Sequence, residues 1–368
     1  MSWLLLVFLT LTGLAACSEI ERHRLESRFP PIGELAHVEG LRLHYTDSGE
    51  PSEWPGPAAA VPVVLIHGAS TSLLDFHASL VEPLSGRHRV VTVDRPGHGY
   101  SERPDGTWPD PAQQARLIHG LLSRLDVQRP ILVGHSWAGS VVLAYLLAYP
   151  QAAAGGVLLA GGSHPWEGGV LWYNDLAGVP ILGPLVARTL PMTLGRVTVE
   201  RGIASVFAPN RVPDGYRDRT GVDLTLRART FLANAEDIRL LSPFLEAQSR
   251  HYGAIEHPLL LITGDADEIV PAWNHAERLV TQAPNADLVY LPGVGHALHH
   301  VRTEAVVRLI VQLGNRIASQ DRLQAVACPQ AGSDEWQLAC APQPGRTAPD
   351  LIDPRKRREA GRPDRLAP

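Results

Sequence analysis

The chain has 368 residues, of which 45% are hydrophobic and 19% are charged. A chain of this length and apolar content can bury a complete core. The net charge of −5 at pH 7 gives no basis for binding nucleic acid, so we expect no nucleic-acid partner.

The chain opens with an uncharged apolar run from Trp3 to Ala16. The run is short for a membrane span, which needs roughly twenty residues, and it suits the core of a signal peptide. It ends in Leu-Ala-Ala-Cys17, which resembles a bacterial lipoprotein signal, although no Lys or Arg precedes it. We therefore predict a signal peptide over residues 1–16 and a lipid on Cys17 that anchors the protein to a membrane facing the periplasm. Ordinary secretion and an uncleaved anchor are the alternatives.

Residues 17–40 are predicted as a tether that leads into the folded domain. Two short runs rich in β-branched residues follow, residues 61–66 and 90–93, and each indicates a buried strand. The first is followed by a loop that begins His67-Gly68-Ala69, and the second by a glycine-rich turn over residues 94–101.

The segment Ile-Leu-Val-Gly-His-Ser-Trp-Ala-Gly over residues 131–139 has the form of a nucleophile elbow. A serine on a sharp turn between a strand and a helix needs small residues two positions before and after it, and Gly134 and Ala138 supply them. The turn lifts the Ser136 hydroxyl clear of the sheet. It also brings the Trp137 N–H to a helix N-terminus, where developing negative charge is stabilised.

Beyond the elbow, residues 140–149 are apolar over helical length and residues 156–159 indicate the next strand. About ninety residues separate that strand from the one that begins at Pro258, far more than an ordinary loop contains. We predict that residues 163–252 form a cap. The stretch 166–199 is largely apolar, which favours a hydrophobic acyl or alcohol group in the substrate, unless these residues only pack the cap itself.

Two further strands are each followed by a chemically useful side chain. Residues 258–263 lead into Gly264-Asp265-Ala266-Asp267, and residues 288–291 lead into a glycine-containing turn that ends at His296. A helix that ends near Ser319 completes the domain. Residues 320–368 are rich in Pro, Arg and Gly and are predicted to be largely disordered.

Two cysteines lie in that C-terminal tail. With Cys17 assigned to a lipid, Cys328 and Cys340 remain as an even pair that could form a disulfide in an oxidising periplasm. Two free thiols are the alternative.

Together these ordered segments resemble the α/β-hydrolase family, over roughly residues 41–313. The resemblance implies an α/β fold with a mostly parallel central sheet flanked by helices. Residues 41–162 and 253–319 would form the core, and the helical cap, residues 163–252, would be inserted after the sixth strand.

The resemblance also assigns roles. Ser136 would be the nucleophile, and because a free hydroxyl is a poor nucleophile it needs a base, which would be His296. A carboxylate must hold the other nitrogen of that imidazole. The family pattern selects Asp267 for this part, with Asp265 as the alternative. The N–H groups of Trp137 and Ala69 would bind the oxyanion.

The other histidines near these motifs have simpler interpretations. His67 is expected to support its loop, and His135 to be a packed core residue. His299 and His300 are expected to be solvated or to line the pocket, and either is an alternative base. No set of His, Cys and carboxylate side chains shows the close spacing of a zinc site, so we expect neither a metal nor another cofactor.

A serine at the elbow favours acyl transfer over the alkyl-enzyme chemistry of haloalkane dehalogenases and epoxide hydrolases, which have aspartate there. The leading hypothesis is a cell-envelope serine hydrolase that cleaves a small, mainly apolar ester. A carbon–carbon bond hydrolase or a lactonase is the second hypothesis, and a cap arginine such as Arg188 or Arg196 facing Ser136 would favour it. The third is a non-catalytic lipoprotein that binds its ligand. The sequence leaves the oligomeric state open.

Overall fold

A computed structural model describes residues 2–51, 61–106, 108–319 and 337–339 of the chain. Its centre is a sheet of nine described strands. The strands are β1 (Glu34–Val38), β2 (Leu41–Asp47), β3 (Val63–Ile66), β4 (Val90–Val93), β5 (Ile131–His135), β6 (Gly155–Leu159), β7 (Leu259–Gly264), β8 (Ala286–Leu291) and β9 (Gln337–Ala339).

The strands follow the order β1-β2-β4-β3-β5-β6-β7-β8-β9 across the sheet. Strands β3 to β8 pair in parallel, and the pairings β1–β2, β2–β4 and β8–β9 towards the two edges are antiparallel. This arrangement confirms the predicted α/β fold with a mostly parallel sheet. Every residue of β3, β4, β5 and β6 is buried, as expected for parallel strands covered on both faces.

Helices cover both faces of the sheet, and the interior divides into two large clusters. The helices are α1 (Ser2–Arg28), α2 (Leu74–His77), α3 (Val81–Ser85), α4 (Pro111–Arg124), α5 (Gly139–Ala148), α6 (Trp172–Ala177), α7 (Leu182–Thr189), α8 (Pro191–Phe207), α9 (Tyr216–Thr220), α10 (Ala228–Gln248), α11 (Ala276–Gln282), α12 (Leu298–Val301) and α13 (Thr303–Ser319). One cluster packs α4, α5 and α11 against the sheet. The other packs α3 and α13 against the opposite face.

The long segment between β6 and β7 is helical, and it contains α6 to α10. Its longest helix, α10, contacts α6, α7 and α8 and so joins the helices of this segment to one another. Asp237 of α10 is fully buried and bonds to Arg95, which follows β4. The predicted cap segment therefore rests on the core through α10.

The N-terminal segment forms a single helix, α1, in the structure. Its second half packs on α7 and α8: Leu25 is buried there, and Glu26 forms an ion pair with Arg227. Residues 17–28 of the predicted tether are therefore helical and bound to the cap. Cys17 is exposed with a free thiol. Among the helices of the described residues, none combines the length and apolar character that crossing a membrane requires.

Three residues of the predicted tail, Gln337–Ala339, form the edge strand β9 beside β8. Cys328 and Cys340, proposed above as a disulfide pair, lie outside the described residues.

Candidate active site

Ser136 occupies a sharp turn at the end of β5, with a φ of 53° that side-chain-bearing residues rarely adopt. The chain is crowded on both sides of it. A Cβ added to Gly134 would lie 2.6 Å from the carbonyl oxygen of Ala138, and one added to Gly139 would lie 2.8 Å from the Cα of Gly161. Both contacts are too short for a carbon atom, so glycine is required at 134 and 139, whereas alanine is accommodated at 138.

The His-Gly loop lies directly against Ser136. A Cβ added to Gly68 would be 3.0 Å from the Cβ of Ser136, so only a glycine lets this loop come so close. The next residue, Ala69, is partly buried beside it. On the other side, Trp137 begins the helical turn that continues into α5. The two residues predicted to supply oxyanion N–H groups thus flank Ser136.

His67 holds the backbone of this loop. Its Nε2 accepts a hydrogen bond of 3.0 Å from the N–H of Arg95, and its Nδ1 donates one of 2.8 Å to the carbonyl of Gly68. Burial and the neighbouring Arg95 lower the pKa of His67 to about 4, so the ring is neutral near pH 7. This geometry agrees with the expected role of His67, which is to support its loop.

Arg95 is a buried guanidinium that joins both halves of the candidate oxyanion site to the cap. It donates hydrogen bonds of 2.9 Å to the carbonyl of His67 and 3.1 Å to that of Gly68. It also bonds to Asp237 of α10 at 2.5 Å, and its guanidinium lies 4.1 Å from the ring centre of Trp137. The position of the His-Gly loop and that of the elbow are therefore tied to one side chain.

His296 and Asp267 form a buried pair. Nδ1 of His296 lies 2.8 Å from Oδ2 of Asp267. The second carboxylate oxygen, Oδ1, accepts hydrogen bonds from the backbone N–H groups of Ile269 at 2.8 Å and Val270 at 3.0 Å. These donors hold the carboxylate in one orientation, with one oxygen left for the imidazole.

Asp265, the alternative acid, points elsewhere. It is exposed, and its Oδ1 accepts a hydrogen bond of 2.7 Å from the N–H of Gly293. It stabilises the turn that follows β8 and does not contact His296 through any bond that the structure describes.

The turn that carries Ser136 contacts the segment that carries His296 through His135, the residue before Ser136. His135 Nε2 lies 3.2 Å from the carbonyl of His296, and the two rings are 4.9 Å apart between centres. Ser136, Asp267 and His296 follow β5, β7 and β8, which are parallel, so all three lie at the same edge of the sheet. His135 is buried, as the sequence indicated for a packed residue.

His299 and His300 do not face solvent as one interpretation of the sequence proposed. Their Nε2 atoms lie 2.8 Å from Oδ2 and Oδ1 of Asp75, and the hydroxyl of Tyr216 donates to the same carboxylate at 3.3 Å. The two imidazoles hold the pKa of the Asp75 carboxyl well below its usual range. The Nε2 atoms of both rings are therefore engaged with the Asp75 carboxylate and not with Asp267.

Asp75, His299 and His300 are the one group among the described residues whose ligand atoms lie close enough to hold a metal ion. The sequence analysis did not foresee this group, because Asp75 is far from the histidines along the chain. Metal ligation would need both Nε2 atoms free of protons. It would then place a proton on His299 Nδ1, a buried atom for which the structure shows no partner. Two hydrogen bonds to Asp75 account for the cluster better than ligation does.

The cap contacts the candidate site through α10. Asn234 accepts a hydrogen bond of 2.6 Å from the N–H of Ser70 and donates one of 3.0 Å to its hydroxyl. One turn further along, the carbonyl of Asp237 accepts a 2.9 Å hydrogen bond from the indole of Trp137. Sequence reasoning missed Arg95, Asn234 and Asp237, since each has its partner on a distant segment.

The structure describes one of the two cap arginine side chains that were named as markers of a carbon–carbon hydrolase. Arg188 is exposed at the end of α7. The side chain of Arg196 lies outside the part that the structure describes.

Comparison with known proteins places the chain among enzymes. The family described as the alpha/beta hydrolase family matches residues 63–309. A 2-hydroxy-6-oxononadienedioate/2-hydroxy-6-oxononatrienedioate hydrolase of Cupriavidus pinatubonensis is 30% identical over 284 residues, which cover 75% of this chain and 91% of the relative.

Solved structures share the fold at lower identity. An enol-lactonase from Burkholderia xenovorans has a TM-score of 0.61 and 22% identity, and the match covers 76% of this chain and 99% of that one. A bacterial membrane phospholipase A has a TM-score of 0.59 and 20% identity, with 86% and 94% covered.

Proposed function

The chain belongs to the alpha/beta hydrolase family, and on that premise we propose that it is a serine hydrolase that cleaves carboxylic esters with a mainly apolar acyl or alcohol group. The observation that carries the proposal is the 2.8 Å contact between Asp267 and His296 at the edge of the sheet where Ser136 sits on its strained turn.

The geometry suits a two-step acyl transfer. His296 Nδ1 donates to Asp267, so the Nε2 atom is available to take the proton of Ser136 as its Oγ attacks the ester carbonyl. The N–H groups of Trp137 and Ala69 would stabilise the oxyanion. His296 then protonates the leaving alcohol, and water hydrolyses the acyl-enzyme by the same route with His296 again as base.

The charges around the site favour an uncharged substrate. The buried guanidinium of Arg95 is neutralised by Asp237, which also bonds to Arg103 at 3.0 Å. A substrate carboxylate would compete with Asp237 for these donors in a buried setting, at a high desolvation cost.

A carbon–carbon bond hydrolase or lactonase is the second candidate. It is supported by relatives named as 2-hydroxy-6-oxononadienedioate hydrolases and by the structural likeness to an enol-lactonase. The substrate of such a carbon–carbon hydrolase, a 2-hydroxy-6-oxodienoate, carries a carboxylate that the enzyme must bind. The carbon–carbon hydrolase, unlike the lactonase, therefore requires a free cation near Ser136, whereas the described Arg95 is already paired with Asp237 and Arg188 is exposed.

The proposal is tested with a fluorophosphonate probe on the purified full chain, beside Ser136→Ala and a matched control, Ser85→Ala, whose hydroxyl lies on the surface. We expect labelling of the wild type and of Ser85→Ala, loss of labelling in Ser136→Ala, and turnover of p-nitrophenyl esters.

The other outcomes separate the candidates. Labelling with turnover of a 2-hydroxy-6-oxodienoate or a lactone, but not of simple esters, would establish the second candidate. A folded protein that neither labels nor turns over any of these substrates would contradict the serine-hydrolase proposal and support a non-catalytic binding protein.

We also propose that the enzyme is held in the bacterial cell envelope by a lipid on Cys17. The thiol is exposed at the point where the apolar part of α1 ends, which leaves it accessible to modification.

A further inference from the structure

The cap presents an apolar surface, which we define as residues 168–187 and call the cap apolar surface. These twenty residues contain one charged side chain, Asp175. Large apolar side chains nevertheless face outward: Trp172 is 73% exposed and Ile181 is 86% exposed. Other exposed apolar residues of this surface are Leu171, Tyr173, Val179, Leu182 and Leu185. So dense a group is unusual on a protein that meets only water.

The cap apolar surface adjoins helix α1, whose first half is apolar. Helix α1 packs on α7, and α7 packs on α6. Ser18 of α1 is buried, with its hydroxyl 3.4 Å from the carbonyl of Thr189 at the end of α7. Trp3, Leu5, Leu6, Phe8 and Leu9 of the same helix are exposed as well.

This arrangement gives the same result whichever form the N-terminus takes. If residues 1–16 remain, their apolar helix leaves the domain beside α7. If they are removed and Cys17 carries a lipid, the acyl chains begin at the neighbour of Ser18, again beside α7. In both cases the anchor and the cap apolar surface adjoin.

The surface also leads to the candidate active site. The ring of Tyr173 lies 6.5 Å from that of Phe231 in α10. One turn further along α10, Asn234 bonds to Ser70 in the loop that flanks Ser136. The cap apolar surface and the loop beside Ser136 therefore contact the same helix, α10, within one turn of each other.

We propose that the cap apolar surface docks on a lipid bilayer and that the enzyme takes a long-chain ester directly from that bilayer. Tryptophan and tyrosine are the residues that favour the interface between lipid and water, and aliphatic side chains beside them enter the acyl region. The docking of the surface stands on its own, whereas the identity of the substrate as an ester rests on the function proposed above.

The first test measures the depth of one tryptophan in the membrane. The full chain is reconstituted in phosphatidylcholine vesicles with and without brominated acyl chains, which quench nearby indoles. Because Trp3 will also be quenched, wild type is compared with Trp172→Phe and with Trp273→Phe. Trp273 is a matched control, since it is 64% exposed but lies outside the cap apolar surface.

We expect Trp172→Phe to remove part of the quenching and Trp273→Phe to remove none. Equal quenching of wild type and Trp172→Phe would overturn the docking proposal. So would lipid-free association of the protein that Ile181→Glu abolishes, because the surface would then bind a second copy of the chain.

The second test compares two substrates. Ile181→Glu places a charge on the cap apolar surface, and Leu35→Glu does so at an exposed apolar site on β1. With a long-chain ester dissolved in vesicles, we expect Ile181→Glu to lower turnover about tenfold or more and Leu35→Glu to leave it unchanged. With water-soluble p-nitrophenyl acetate, both variants should match wild type.

The outcomes distinguish the two proposals. Equal turnover of the vesicle-borne ester by wild type and Ile181→Glu would contradict delivery from the bilayer. Quenching at Trp172 without turnover of any ester would leave docking supported and contradict the ester-hydrolase function.

Discussion

At the scale of single residues, the chemistry of the candidate site depends on which nitrogen of His296 carries the proton. Asp267 receives two backbone hydrogen bonds on Oδ1, so its Oδ2 is directed at the imidazole. That contact keeps the proton on Nδ1 and leaves the lone pair of Nε2 free, as the proposed attack by Ser136 requires.

Replacing the acid therefore tests the assignment. Asp267→Asn is expected to lower kcat by about 10⁴-fold, because an amide stabilises the wrong tautomer and cannot stabilise the imidazolium. Asp265→Asn is the matched control and should leave kcat nearly unchanged, since its carboxylate only holds the N–H of Gly293. The kcat of both variants is measured on the same ester, and a larger loss in Asp265→Asn would show that the acid is misassigned.

Arg95 is the residue on which both candidate oxyanion donors depend. We expect Arg95→Met to lower the free energy of unfolding by about 3–5 kcal/mol, because it leaves the fully buried carboxylate of Asp237 with less compensating charge. Urea unfolding measures the change.

A double-mutant cycle separates the ion pair from general packing. The double variant Arg95→Met/Asp237→Leu should cost less than the sum of its two single substitutions, because it leaves neither charge buried alone. Additive losses would mean that the two side chains do not stabilise each other.

At the scale of elements, the loops that follow β5, β7 and β8 carry Ser136, Asp267 and His296. They lie together because the carboxyl ends of parallel strands share one edge of the sheet. Helix α10 then closes over that edge. It binds Ser70 through Asn234, and Trp137 through the carbonyl of Asp237. The same helix contacts the elbow and the His-Gly loop, so a movement of the cap is expected to alter both.

The two halves of helix α1 differ, and Cys17 between them allows a test of the proposed lipid anchor. Its first half is apolar and exposed, while its second half packs on the cap with Leu25 buried. We expect Cys17→Ser to abolish incorporation of a fatty-acid label in bacterial cells and Cys328→Ser to leave it intact. Mass spectrometry of the N-terminus gives a second measurement. An unmodified Cys17 in the wild type would contradict lipidation.

At the scale of the whole molecule, many histidines are enclosed and neutral. Burial lowers the pKa of His67, His164 and His275 to about 4, compared with an ordinary value of 6.5. Between these two values the unfolded chain binds protons that the folded protein does not. The contribution of these three histidines to the free energy of unfolding is therefore largest above pH 6.5 and falls as the pH is lowered towards 4.

Urea unfolding at pH 7 and pH 5 measures this effect. His67 alone should contribute a slope of about 1.4 kcal/mol per pH unit near pH 5. Asp75 and Asp94, whose pKa values are lowered, add to acid instability only below about pH 4. His164→Gln should reduce the slope, and His251→Gln, on the surface, should not. Equal stability at pH 7 and pH 5 would contradict the neutral buried state of these histidines.

The sequence by itself determined the fold class and the segments that carry the candidate chemistry. The reason is that these features depend on residues that are close to one another in the sequence. An apolar run followed by glycine indicates a buried strand and its turn, and Gly134 is required by its contact with Ala138, four residues away. The α/β fold and the membership of the family are confirmed. The catalytic roles assigned to Ser136, Asp267 and His296 stay predictions, although the structure brings Asp267 and His296 into contact.

Only the tertiary structure decided how distant segments combine. The family pattern favours Asp267 over Asp265, but only the tertiary structure shows which carboxylate reaches an imidazole 29 residues away. Arg95 and Asp237 are 142 residues apart, and Asp75 lies 224 residues from His299. No local sequence pattern predicts such pairs. A charged side chain needs an opposite charge only once the fold has buried it, and the partner comes from a distant segment. The outward position of Trp172 and Ile181 has the same origin, since an apolar residue is exposed or buried according to what the rest of the chain leaves uncovered.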